Sequence, residues 1–183
     1  MRIITGSARG RKLIAPPGEH TRPTTDWVKE SVFNIIQFDI EGRRVLDIFA
    51  GTGQMGIEAL SRGAEKCVFV ENDRAAVRAI RENVRSIGFE EQAAVLEKDY
   101  KAFIKSCSDK FELVFLDPPY EDGHIARSLE LFSLFDIISD GGIIVCEGAR
   151  GEKLPESAGK LVKTSQKLYG NTQITLYKNI GEQ

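Results

Sequence analysis

A chain of 183 residues, 42% of them hydrophobic, suits one domain with a real core and at most a small appendage. No apolar run reaches the ~18 residues of a membrane span, and Met1-Arg2-Ile3-Ile4-Thr5-Gly6 lacks the apolar stretch of a signal peptide. The formal net charge of −2 conceals basic ends and an acidic middle: residues 1–35 carry six Lys/Arg against three Asp/Glu, residues 36–149 thirteen against twenty-one, and residues 150–183 six against three. Basic edges on an acidic core fit a protein that meets phosphates, and equally fit ordinary solvated charges. Cys67, Cys107 and Cys146 form no Cys-x-x-Cys pair, so neither a disulfide framework nor a zinc site is supported. Free thiols in a reducing cytoplasm are the expectation.

In chain order, residues 2–15 read as a small hairpin in which Arg2-Ile3-Ile4 and Lys12-Leu13-Ile14 flank a Gly6–Gly10 turn. Pro16-Pro17-Gly18 breaks it, and residues 1–23 are taken as a basic extension ahead of a domain spanning 24–183. A helix starts at Thr24 or Thr25, either of which can cap it, with Val28, Val32, Phe33, Ile35 and Ile36 at helical spacing. Strands at 45–49, 67–71, 93–96, 111–116 and 142–147 then alternate with helices through Leu60, at 73–87, at about 100–106 and at about 124–135. The end reads as two strands, about 161–168 and 172–178, joined at Tyr169-Gly170-Asn171. Alternation of this kind means an α/β fold with a doubly wound, mostly parallel sheet; the last two strands add an antiparallel edge.

Asp117-Pro118-Pro119-Tyr120 is the most informative stretch. It follows the apolar strand 111–116, which the prolines end at once because proline has no backbone N–H for a ladder. Pro119 also holds Pro118 extended. A carboxylate, a stiff carbonyl and an aromatic ring are thereby presented at a strand's C-terminal end, where open α/β sheets bind ligands. The set suits a flat base with an exocyclic amino group. Asp117 and the Pro118 carbonyl accept the amino hydrogens, and Tyr120 stacks on the ring. The plain alternative is a strand-ending turn with a surface Asp.

Ala50-Gly51-Thr52-Gly53-Gln54-Met55-Gly56 joins the first strand to its helix. Its glycines let a ligand approach the backbone, and Glu71, at the end of the next strand, is placed to grip ribose hydroxyls. Gly51, Gly53 and Gly56 match Gly-x-Gly-x-x-Gly, so a dinucleotide-dependent oxidoreductase is one reading. Asp47, in the strand just ahead of the turn, argues against it, because it would repel a pyrophosphate. It suits a ligand bearing an amino group and a sulfonium. Asp99 follows the third strand and is placed either to accept from an adenine amino group or to cap the helix from Tyr100.

These features in this order, from Asp47-Ile48-Phe49-Ala50-Gly51-Thr52-Gly53 through Glu71 and Asp99 to Asp117-Pro118-Pro119-Tyr120, resemble the class I S-adenosylmethionine-dependent methyltransferases that modify exocyclic amino groups. Arg2-Ile3-Ile4-Thr5-Gly6, Arg9-Gly10-Arg11-Lys12-Leu13, Thr21-Arg22-Pro23-Thr24, Lys29-Glu30-Ser31-Val32-Phe33-Asn34, the Gly56–Ala64 segment and Tyr169-Gly170-Asn171-Thr172 narrow the resemblance to the RsmD family. Trp27, where that family usually has Arg, and Met55, where Leu is commoner, depart from its pattern.

The resemblance implies a Rossmann-like, seven-stranded class I methyltransferase domain with a small N-terminal hairpin. It implies methylation of the 2-amino group of a guanine in small-subunit (16S) ribosomal RNA, in the cytoplasm, with S-adenosylmethionine as cofactor and no metal. It assigns cofactor contacts to Asp47, Phe49, Ala50, Gly51, Gly53, Glu71, Asn72, Asp99, Tyr100 and Asp117, and the acceptor site to Asp117, Pro118, Pro119 and Tyr120. The partner is small-subunit RNA or an assembling 30S particle. Arg9, Arg11, Lys12 and Arg22 are the candidates for RNA phosphates, whose contacts position the RNA without choosing the base. Amino-group methyltransferases acting on DNA adenine or protein glutamine share the acceptor chemistry and are the nearest alternatives.

Overall fold

Strands and helices alternate from residue 44 onward, as the apolar spacing predicts. The computed structural model describes residues 1–16, 26–120 and 123–181. Its elements are α1 (Asp26–Ile35), β1 (Arg44–Ile48), α2 (Gln54–Ser61), β2 (Lys66–Glu71), α3 (Arg74–Ile87), β3 (Ala93–Glu97), α4 (Tyr100–Ser106), β4 (Phe111–Leu116), α5 (His124–Phe135), β5 (Ile138–Ala149), β6 (Ser157–Ala158), β7 (Leu161–Tyr169) and β8 (Thr172–Asn179). Local chemistry sets the helix ends. Asp73 caps α3 by accepting from the Ala76 N–H at 2.8 Å, and Gly88 closes it with φ 88°, a left-handed turn that glycine enters freely. The expected caps at Thr24 and Thr25 lie outside the described residues.

The sheet has eight strands in the order β3-β2-β1-β4-β5-β8-β7-β6, one more than the seven expected. The addition is β6, a two-residue edge pairing Ser157 and Ala158 with Val162 and Leu161; a segment that short carries no periodicity to read. β1 to β5 are parallel, and β8 and β7 continue antiparallel. β5 begins at Ile138, earlier than expected, because Ile138 pairs with Phe111 before the register shifts. The strand order reverses beside β1, which pairs β2 on one side and β4 on the other. The crevice at the C-terminal ends of β1 and β4 is therefore the topological switch point where such sheets take ligands.

Both sheet faces are covered. One apolar cluster joins Ile3, Val32, Phe33, Ile57, Phe69, Ile80 and Phe115, from the N-terminal segment, α1, α2, α3 and the sheet. The other joins Leu46, Ile48, Phe103, Ile104, Leu129, Phe132 and Tyr177 under α4 and α5. Strands buried on both faces read as continuous apolar runs, which is why β1, β2 and β4 were visible in the sequence.

The N-terminal hairpin is reduced to one antiparallel bridge, Arg2↔Lys12, supported by bonds from the Ile3 N–H to the Arg11 carbonyl and from the Gly10 N–H to the Ile3 carbonyl. Its backbone turns instead to α2. Glu58 accepts from the N–H groups of Ile4 at 2.8 Å and Thr5 at 3.0 Å. Ser61 accepts from the Ala8 N–H and donates to the Thr5 carbonyl. Beneath lies an ion pair with both side chains wholly buried: Lys29 Nζ stands 3.6 Å from Glu58 Oε2 and donates to the Arg2 carbonyl at 2.6 Å. Burial pulls the Lys29 pKa down, and Glu58 opposes that shift.

Candidate active site

Strand alternation sets the central group of side chains. Val45, Leu113, Phe115 and Val145 point into the first apolar cluster. Side chains two residues further along each strand share their face, so Asp47, Asp117 and Glu147 project from the same side of the sheet. Asp47 is in register with Phe115. Asp117 and Glu147 follow directly on the registered pair Leu116↔Cys146 and are therefore lateral neighbours.

Three carboxyl groups thus converge on the switch point, and Asp117 feels both of the others. Asp47 is buried and accepts from the Gly56 N–H at 2.9 Å; burial, with a smaller contribution from Glu71, pushes its pKa up to about 7 against the Gly56 bond. Burial first, then the charges of Glu147 and Asp47, hold the Asp117 carboxyl well above the usual carboxylate range.

The Asp47 shift has a consequence for stability. A folded-state pKa above the unfolded one means that the native protein binds the proton more tightly, so stability falls as pH rises between the two values. Asp47→Asn keeps an oxygen for the Gly56 N–H and removes the titration. It should gain on wild type by a few kcal/mol between about pH 4 and about pH 8, measured as the difference in denaturant unfolding free energy. An advantage independent of pH would show that Asp47 does not titrate in this range.

The glycine turn is held by Glu71. One carboxylate oxygen accepts from the Gly51 N–H at 2.9 Å, and the other from Asn72 and Asp73 at 2.8 and 3.0 Å. Gly53 has φ 75° and starts α2. A Cβ at Gly51 would meet nothing within 4 Å, whereas one at Gly56 would lie 2.4 Å from the Phe69 ring. The first glycine therefore faces open space, and the third serves helix–strand packing. Ala50 is buried, with its N–H on the Val70 carbonyl. Phe49 takes φ 64°, a strained conformation for an aromatic residue. It lies 4.6 Å from the Tyr100 ring and 5.6 Å from His124, centroid to centroid. Tyr100 Oη is 3.1 Å from His124 Nδ1. Asp99 caps α4 through the Ala102 N–H at 3.0 Å, which leaves other lone pairs for a ligand.

Pro118 is buried, while Pro119 and Tyr120 are exposed. The Tyr120 hydroxyl is anchored: it donates to Glu147 Oε1 at 3.3 Å and lies 3.2 Å from Thr172 Oγ1. This ties the motif to β5 and β8 and leaves the ring open for stacking.

Sequence reasoning missed Glu147, His124, Thr172 and Gln54. Glu147 was accessible from the alternation starting at Val145. Gln54, at the start of α2, is buried, and its Oε1 has no partner among the described residues. His124 and Thr172 come to the site only through the fold. Arg9, Arg11 and Lys12 are exposed on the N-terminal segment, with Arg11 donating to the Ser86 carbonyl; Arg22 lies outside the described residues. Among the described residues no group of three or more His, Cys, Asp or Glu side chains is disposed to hold a metal, and no helix is long and apolar enough to cross a membrane.

The site has clustered carboxyl groups that burial disfavours ionising without a cation beside them, a buried acceptor unpartnered among the described residues, and an open glycine turn. That donor set fits a ligand carrying a cationic centre, an amino group and a ribose, and it fits a pyrophosphate poorly.

Comparison with known proteins places the chain among methyltransferases. The family described as "Conserved hypothetical protein 95" matches residues 1–178. The chain is 41% identical over 184 residues to YlbH of Bacillus subtilis (strain 168), provisionally named an rRNA methyltransferase, covering 99% of this chain and 100% of that protein. It is 34% identical over 184 residues to ribosomal RNA small subunit methyltransferase D of Haemophilus influenzae, covering 98% and 94%. The structure of yhhF from Escherichia coli, provisionally named a methyltransferase, superposes with a TM-score of 0.89 at 32% identity, covering 98% of this chain and 97% of that one.

Proposed function

The chain belongs to the conserved hypothetical protein 95 family, the RsmD family of ribosomal RNA methyltransferases, and on that premise we propose that it methylates the exocyclic 2-amino group of a guanine in small-subunit ribosomal RNA, with S-adenosylmethionine as donor. The chain is a methyltransferase; donor, base and atom are our reading. The observation that carries it is the convergence of Asp47, Asp117 and Glu147 beside the glycine turn.

In this reading Asp47 and the Gln54 amide oxygen face the amino-acid part of the donor, and Glu71 faces its ribose. Asp99 and the Phe49–Tyr100 pair flank its adenine. When bound, S-adenosylmethionine supplies an electrophilic methyl group on a sulfonium. The residues of the chain do the rest. They align the acceptor, which supplies up to about 7–11 kcal/mol of barrier lowering in favourable cases.

The guanine amino group is a poor nucleophile because its lone pair is delocalised into the ring. Asp117 and the Pro118 carbonyl accept its two hydrogens, draw the nitrogen toward tetrahedral geometry and stabilise the positive charge that develops there. The Tyr120 ring holds the unstacked base, offsetting part of the few kcal/mol spent on extrusion. Glu147 fixes the Tyr120 hydroxyl, and its charge makes the neighbouring Asp117 a stronger base.

Calorimetry tests the donor assignment. S-adenosylmethionine and its demethylated product should bind, and NAD should not. Glu71→Ala should weaken binding about 10- to 100-fold, since each hydrogen bond to a charged acceptor contributes roughly 1.5–3 kcal/mol. Tight binding of NAD with none of S-adenosylmethionine would return the glycine turn to the oxidoreductase reading.

A further inference from the structure

The acidic middle of the chain hides a basic face. Arg74, Arg78, Arg81 and Arg85 are all exposed on α3. Their spacing of four, three and four residues puts them on one stripe, about 16 Å long at 1.5 Å per residue. The opposite face of the same helix is buried through Ala76, Val77, Ala79, Ile80, Asn83 and Val84. Neighbouring like charges at these spacings destabilise a helix, so the stripe is unfavourable for folding taken alone. Arg85, in the last turn, is the exception, because it also complements the helix dipole.

Arg78, Arg81 and Arg85 line an open concavity together with Glu82 and Ser86. Arg11 reaches it from the N-terminal segment by donating to the Ser86 carbonyl. Three guanidinium groups and a single carboxylate therefore line one hollow, and a fourth guanidinium, from a segment far away in sequence, meets its Ser86 edge. Arg74 pairs with Glu97 and Arg81 donates to the Val95 carbonyl. Among the described residues the Arg78 and Arg85 side chains have no hydrogen-bond or ion-pair partner. The stripe starts directly after Glu71-Asn72-Asp73, at the edge of the candidate cofactor site, and ends where the basic N-terminal segment docks.

We infer that the arginine face of α3, joined by Arg11, is a second contact surface that follows the phosphate backbone of the RNA substrate away from the active site. The inference rests on the ribosomal RNA reading of the active site. Guanidinium groups suit phosphate oxygens through paired N–H donors, and they add affinity and register without choosing a base.

The test compares wild type, the double variant Arg78→Ala/Arg85→Ala, and a control, Lys105→Ala/Lys153→Ala, that removes equal charge elsewhere. Binding to protein-free small-subunit RNA is titrated against salt. The arginine variant should shrink the slope of log affinity against log salt by roughly 1.4–1.8, from two phosphate contacts at about 0.7–0.9 each. The lysine control should keep the wild-type slope, and both variants should keep the wild-type cofactor affinity and a Tm no lower than wild type. An unchanged slope in the arginine variant, or an equal change in both variants, overturns the inference while leaving the active-site reading intact. A defect seen only on assembled particles assigns the face to a ribosomal protein and also overturns it. If wild type neither binds nor methylates ribosomal RNA, the active-site reading falls and the inference falls with it.

Discussion

Asp117→Ala is expected to slow methyl transfer by about 10²–10³-fold, the usual loss when one preorganised group facing transition-state charge is removed. The donor should still bind, because Asp47 and the glycine turn held by Glu71 remain in place. An interaction that strengthens only as charge develops on the amino nitrogen lowers the transition state and not the ground state, so the defect should appear in the single-turnover rate.

The pH profile separates this role from simple base binding. Burial and the charges of Glu147 and Asp47 raise the Asp117 pKa, so in wild type the rate should climb with pH as the carboxyl ionises. Asp117→Asn retains one acceptor oxygen, loses the charge and should lose that limb of the profile. Transfer by Asp117→Ala at the wild-type rate would remove Asp117 from the mechanism.

The largest effect on stability is expected at Glu58, far from the chemistry. Its carboxylate is wholly buried and takes the Ile4 and Thr5 N–H groups and Arg62 Nε, with Lys29 Nζ alongside. Glu58→Ala orphans these donors and leaves a buried ammonium unpaired, a loss of roughly 3–5 kcal/mol. For a chain of this size that lowers Tm on the order of 10 °C.

The same change frees the segment that carries Arg9, Arg11 and Lys12, so RNA affinity should fall while donor affinity persists. Adding Lys29→Met should restore part of the stability, because the orphaned charge, more than the lost pair, carries the cost. Equal unfolding free energies for Glu58→Ala and wild type would show that the pair does not anchor the segment.

The sequence exposed what repeats and what ends abruptly. β1, β2 and β4 are apolar on both faces, and Pro118-Pro119 stops β4 sharply, so the parallel sheet, Asp47 and Asp117 could be placed before any coordinates. What depends on lateral register could not. Glu147 joins Asp117 only because β5 lies beside β4, and His124 meets Phe49 and Tyr100 only because α5 folds back over α4. The N-terminal hairpin pattern was sound, yet its backbone groups bond to Glu58 and Ser61 in place of a full ladder, a choice made by tertiary packing. The arginines of α3 were invisible to a charge balance taken over residues 36–149, where surrounding Asp and Glu outnumber them. Only helical geometry sorts them onto one face.

Nucleoside mass spectrometry of small-subunit ribosomal RNA, from cells with and without the gene, measures the central claim most directly. One guanosine should carry a methyl group on its 2-amino nitrogen when the gene is present and lack it when the gene is absent. Purified protein with S-adenosylmethionine should restore that methyl group, and Asp117→Ala protein should fail to. Identical RNA from the two strains, or a methyl group found on a ring nitrogen, would contradict the assignment.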